Sequence, residues 1–175
     1  MGDSAMTILA IFLAAILMFI FPLMALSERN DDVSQMAVQT SVTEFVDKAR
    51  TIGVLKLSDY DAFVQEIAST GNAFDIDMEI KRIDENPSKK LAQAAGDKIG
   101  ENVYYSIYTS QIEEELYKEG VEKVKLKEGD YLTVTVKNTN QTMGQMFKNF
   151  FYSLGGSSTS VIAAQHSGVV TSTGN

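Results

Sequence analysis

The sequence predicts an α+β fold: a long N-terminal helix, membrane-spanning in its first half and amphipathic in its second, then a small antiparallel-sheet domain with short helices. Three observations carry this expectation. From Ala5 to Leu26 the chain reads AMTILAIFLAAILMFIFPLMAL, with no charged residue. Apolar residues then continue at helical spacing, and no proline or glycine intervenes between Leu26 and Gly53. Further on, FDIDMEIKRI alternates apolar and polar residues with the period of a strand wet on one side. Helix first and sheet afterwards argues for α+β with an antiparallel sheet.

The apolar block comes first in the chain and in the argument. Its 22 residues at about 1.5 Å rise give roughly 33 Å of helix, enough to cross a hydrocarbon core of about 30 Å. A cleaved secretory signal carries a basic head, a shorter apolar core and a small-residue exit. Here MGDS precedes the block without Lys or Arg, so the block is expected to be retained as an anchor. Pro22 removes one backbone hydrogen bond, which membrane helices tolerate when neighbouring groups re-satisfy the freed carbonyl. Ile8, Ile11, Phe12, Ala14, Ala15, Phe19 and Pro22 are the candidate membrane and assembly residues. Charge bias around the span reduces to Arg29 and points weakly toward an inside domain. The four-residue head and the Ser/Thr/Gly-rich later segments place the domain outside instead.

After the block, Val33, Met36, Ala37, Val42, Phe45, Val46, Ala49 and Ile52 fall close to one helical stripe. One helix from Ala5 to Ile52 is predicted, with Gly53 as its stop. The chain therefore divides into residues 1–27 (membrane and assembly helix), 28–53 (amphipathic continuation) and 54–175 (extracytoplasmic α+β domain). Within the domain, Ser58 is expected to cap a short helix with Tyr60, Phe63, Val64 and Ile67 on its apolar face, ended by Gly71. ENPSKK around Pro87 marks a loop, and Lys89–Asn102 gives no clear signal. YYSIYTSQIEEELYKEG is expected to run extended to Thr109 and then helical, with Ile112 and Leu116 inward and Gly120 at its end. VEKVKLKEGDYLTVTVKN reads as a hairpin joined at EGD, with Val121, Val124 and Leu126 on one arm and Leu132, Val134 and Val136 on the other. Residues 142–154 are expected to form a helix, GGSSTS a break, and SVIAAQHSGVV a last strand.

Composition removes several function classes. The net charge is −8, and all 15 basic residues but only 22 of the 23 acidic ones follow the apolar block. Nucleic acid and anionic lipid surfaces, which need a basic patch, are disfavoured as main partners. With no cysteine and one histidine, His166, disulfides and thiolate chemistry are excluded, along with most zinc and Ser-His-Asp arrangements. No phosphate loop or nucleophile elbow occurs, so no catalytic residue, cofactor or metal is expected. Asp75, Asp77 and Glu79 read as the solvent face of a strand, and Glu113–Glu115 as a solvated helix face. His166 beside Ser167 has no orienting acid in view. Asn140-Gln141-Thr142 fits a glycosylation sequon. Met146, Phe147, Phe150 and Phe151 form a stripe expected in the core, with a partner face as the other reading.

A short head before a long apolar helix, a proline at position 22, an amphipathic continuation and a C-terminal antiparallel domain together resemble the type IV pilin superfamily. Within it the chain is similar to TadE-like pseudopilins and pilin-like proteins of Gram-positive bacteria. Tyr60-x-x-Phe63, TGNAFDIDMEI (70–80) and KEGDYLTVTV (127–136) carry the local likeness. The resemblance implies a structural subunit in a Tad or type IV-like filament or secretion apparatus, partnered by membrane lipid and by copies of itself or related subunits. Its platform and ATPase would be other proteins. It also implies a processing site at Gly2, with Asp3 as the new N-terminus. The chain departs from the family there: no basic residue precedes Gly2, and Thr7 stands where the mature helix usually carries Glu. Two other functions compete: a membrane-anchored interaction module of a secretion or conjugation complex that never polymerises, and an anchored protein whose Met146–Phe151 face takes a ligand. The expected location is the cytoplasmic membrane with an extracytoplasmic domain, or a surface filament.

Overall fold

The computed structural model describes residues 2–84, 104–152 and 162–174. In chain order the elements are α1 (Gly2–Ile52), β1 (Val54–Lys56), α2 (Leu57–Ala68), β2 (Phe74–Ile83), β3 (Tyr104–Tyr108), α3 (Thr109–Leu116), β4 (Lys123–Lys125), β5 (Tyr131–Asn138), α4 (Met143–Tyr152) and β6 (Ala163–Val169). The fold is α+β, as the periodicities predict. The expected loop at Pro87, the stretch Lys89–Asn102 and the GGSSTS break lie outside the described residues.

The first helix is continuous over 51 residues with Pro22 inside it, a rod of about 75 Å. Gly53 ends it with φ +75°, and a Cβ there would collide with the backbone of Ser172 and Gly174. The stop signal thus answers two demands, a left-handed residue and a close backbone approach. The buried line on the second half of α1 runs Ser34, Val38, Ser41/Val42, Phe45/Val46 and Ala49. Val33, Met36, Ala37 and Ile52, expected on that stripe, are exposed. The packed face is turned toward the buried Ser34 and Ser41, and the Ser41 hydroxyl, beside α2, donates to the Ala37 carbonyl at 3.0 Å.

Among the described residues, β3-β2-β5-β6 form an antiparallel sheet and β1-β4 a second, two-stranded one. Here the sequence expectation of a hairpin across EGD is corrected. The turn exists, with Gly129 at φ +91° and the Asp130 amide donating to the Lys127 carbonyl at 3.0 Å. Yet its two arms do not pair. β4 pairs with β1, Leu55 opposite Val124. Both edges of β5 are taken by longer partners, β2 from Phe74↔Asn138 to Lys81↔Tyr131 and β6 from Tyr131↔Val169 to Lys137↔Ala163. The Asp130 carboxylate, 1% exposed, accepts from the amides of Ile83 and Lys127 and holds the turn against the end of β2. Val121, assigned to that hairpin, lies outside both sheets and is partly exposed.

Met78 and Ile80 of β2 and Leu132, Val134 and Val136 of β5 face inward, with α1 over β5, α3 over β2 and residues of α2 completing the same core. Phe45 of α1 stacks on Phe63 of α2 with centroids 4.6 Å apart, a favourable offset aromatic geometry. Ser58 does not cap α2. The helix starts at Leu57, whose amide donates to the Glu122 carbonyl at 3.0 Å, so a backbone oxygen supplies what a side-chain cap would have given. The edge strand β6 is covered by α1: the Gln35 side chain receives the Ala163 amide at 2.9 Å and donates to its carbonyl at 2.7 Å. Such cover keeps an edge from pairing with another chain.

Candidate functional site

The candidate site is the apolar half of α1 together with the helix that stands beside its end. None of the most apolar 18-residue stretch of α1 is buried. Ile8, Ile11, Phe12, Ala14, Ala15, Phe19 and Pro22 are all exposed, and only Ile20 and Met24 are half-covered. Gly2 and Asp3 lie in the first turn of the same helix. Between Met6 and Leu26, thirteen large apolar side chains are exposed. At roughly 1.5 kcal/mol or more each, their exposure to water costs on the order of 20 kcal/mol. The segment needs a cover that the described residues do not supply.

At the end of the block the chain turns polar, and α4 docks there. Thr142 precedes α4 and forms a capping box: the Gln145 amide donates to Thr142 Oγ1 at 3.1 Å, and the Thr142 amide donates to Gln145 Oε1 at 3.0 Å. The Thr142 hydroxyl donates onward to Asp31 Oδ2 at 2.6 Å. Lys148 lies 3.4 Å from Glu28. A Cβ on Gly144 would press on the Asp31 carboxylate. Together these tie α4 across residues 27–31 of α1.

Tied this way, α4 does not turn its apolar stripe into the core. Met146 and Phe150 are 53% and 70% exposed, Met143 is exposed too, and Phe147 is half-buried. The expectation of a core stripe is corrected for these residues; Phe151 lies in α4, but its side chain is outside the described residues. Ile20, Met143, Met146, Phe147 and Phe150 line an open apolar groove of about 430 Å³. What sequence reasoning missed is the docking, although Thr142-x-x-Gln145 is itself a visible start signal.

The other candidates resolve into structural roles. Asp75 and Asp77 are on the solvent face of β2, and Glu79 accepts from the Ser106 hydroxyl at 2.7 Å. Glu113 is not purely solvated, because the Tyr60 hydroxyl donates to it at 2.8 Å. Burial and that carboxylate raise the Tyr60 pKa. His166 does find an acid, with Nε2 3.2 Å from Asp47 Oδ1. Ser167, however, points to the opposite face and shares a hydrogen bond with Thr133 at 2.7 Å, so no nucleophile meets the imidazole. Arg50 and His166 hold the Asp47 carboxyl below its usual range. In the sequon, Asn140 Oδ1 accepts from the Ala73 amide at 2.9 Å and Nδ2 donates to Asn72, while Thr142 is committed to Asp31. A second cavity, of about 530 Å³, is lined by Arg82, Lys123, Lys125 and Lys127 but also by Asp84, Glu115 and Asp130, so its charges largely cancel. Among the described residues no group of three or more His, Asp or Glu could hold a metal.

Fold and site define a class: an α+β protein whose N-terminal helix is long and apolar enough to cross a membrane and whose far half is built into the domain core. Comparison with protein-family models, with curated proteins and with solved structures returns no match to this chain.

Proposed function

We propose that this chain is a pilin-like (pseudopilin) structural subunit, anchored by α1 and assembled into a Tad or type IV-like filament or secretion apparatus. One observation carries the reading. A single unbroken helix is uncovered along its apolar half and forms part of the domain core along the other. A helix apolar on every side loses water equally well in lipid and in a bundle of like helices, so the hydrophobic effect barely chooses between them. Packing then decides, and Ala10, Ala14 and Ala15 offer exposed, small close-approach surface. An ATPase and platform supplied by other proteins would move subunits across that near-balance. No nucleic acid takes part.

The test is an N-terminal mass determination on membrane-extracted and surface-sheared material. Loss of Met1 and Gly2 together with presence in the sheared fraction supports a filament. An intact Met1 found only in membranes supports the second reading, a non-polymerising anchored module of a secretion or conjugation complex. Thr7 at the place where pilins usually carry Glu favours that alternative.

A further inference from the structure

We infer that α4 is an interfacial foot, a short helix that lays Met143, Met146 and Phe150 into the lipid layer on the domain's side of the membrane, beside α1. The inference rests on α1 spanning a bilayer, and not on polymerisation.

Position along the rod carries it. Ile20, which lines the groove under α4, lies six residues before Leu26. At the standard rise that is about 9 Å inside the end of the apolar block. Amphipathic helices that lie in a membrane interface bury their apolar face by about 5–10 Å. The two depths agree. The apolar face of α4 is also continuous, through Ile20, with the exposed surface of the span. Any solvent that covers the last turns of α1 must therefore touch this face.

Polarity along α4 has the matching order. Its tether to α1 is made at Glu28 and Asp31, through Lys148 and Thr142, just past the last apolar residue of the block. The charged contacts thus sit at headgroup level while Met146 and Phe150 lie against the more deeply placed part of α1. Met and Phe suit an irregular boundary, the first because its unbranched chain adapts to its surroundings. Such a foot would give α1 a second point of contact with the bilayer and fix the rotation and tilt of the domain about the rod.

The chain has no tryptophan, so one introduced residue reports alone. Phe150→Trp, Phe12→Trp and Met36→Trp, each in the full-length protein, are placed in phosphatidylcholine vesicles carrying bromine either high on the acyl chains or near their ends. All three sites are exposed, so the substitutions leave the packed core alone. Expected is a loss of Phe150→Trp emission with the shallow bromine, a loss for Phe12→Trp with the deep one, and no loss for Met36→Trp. Quenched Phe12→Trp with an unquenched Phe150→Trp open to aqueous iodide overturns the foot and leaves the span standing. Phe150→Trp shielded from iodide but unquenched by bromine, with the shielding lost as lipid is added in excess, means that a second copy covers the face, and also overturns it. An unquenched Phe12→Trp removes the span on which both proposals rest.

Discussion

The two halves of α1 share one backbone and almost nothing else. Before Leu26 the helix is apolar all round and, apart from the half-covered Ile20 and Met24, exposed; from Ser34 onward it carries a narrow buried line, with mostly polar residues elsewhere. The second half is finished by its own chain, through Phe45 on Phe63, Val38 to Ala49 over the sheet, and Gln35 on Ala163. The first half is left uncovered by the described residues. A helix that buries one stripe belongs to a domain, and one that exposes every face belongs to a different solvent. The contrast separates what folds the molecule from what locates it.

The largest test of that contrast removes residues 1–26. This is expected to abolish the exposure of order 20 kcal/mol and move the protein from the membrane to the soluble fraction with its sheet retained, as fractionation and circular dichroism would show. Next, Phe45→Ala is expected to cost about 3–5 kcal/mol of domain stability, read by thermal melting, whereas Phe12→Ala leaves the melt unchanged. Equal effects from the two would erase the distinction between the halves. Ala14→Asp places a charge in the apolar half at a cost of about 2.5–3.5 kcal/mol and is expected to block insertion or assembly. Normal membrane and filament yield from that variant would remove the proposed role of α1. Thr142→Ala strips α4 of its cap and Asp31 of a donor; a loss of about 1 kcal/mol should appear as faster hydrogen exchange in α4, with the core strands unaffected.

The smallest expected effect depends on pH. Arg50 first, then His166, lowers the folded-state pKa of Asp47. A carboxyl with a depressed folded pKa adds stability that is present above its unfolded value, about 3.9, and is lost as pH falls through the folded value. The side chain is 41% exposed, so solvent screens the pair and the gain is small. Melting temperatures of the wild type and Asp47→Asn should differ above about pH 4 and converge on further acidification. A gap that persists at the acid end would assign the effect to packing instead.

Much of this architecture is written locally. The absence of breakers from Leu26 to Gly53, the strict alternation of Phe74–Lys81 and the Ile112/Leu116 pair each specify their element through short-range periodicity. What the sequence left open was partnership. Val124 and Leu126 look like one arm of a hairpin, yet whether β4 pairs across Gly129 or with β1 depends on β2 and β6 claiming both edges of β5. Ser34 and Ser41 do not look like core residues, because nothing local reveals which face of α1 the rest of the domain will cover. The stripe on α4 has the same periodicity whether its cover is the core or another medium. Only its tether to Glu28 and Asp31 shows that Met146 and Phe150 face away from the sheet.

The long contact between α1 and the domain has a mechanical consequence. Traction on the apolar end of the rod runs along the helix axis and reaches Val38, Val42, Phe45, Val46 and Ala49 as sliding shear. The Gln35 clamp on β6 and the Thr171 amide bond to the Arg50 carbonyl brace the two ends of that seam. Separation then requires the side chains along it to disengage together instead of peeling one at a time.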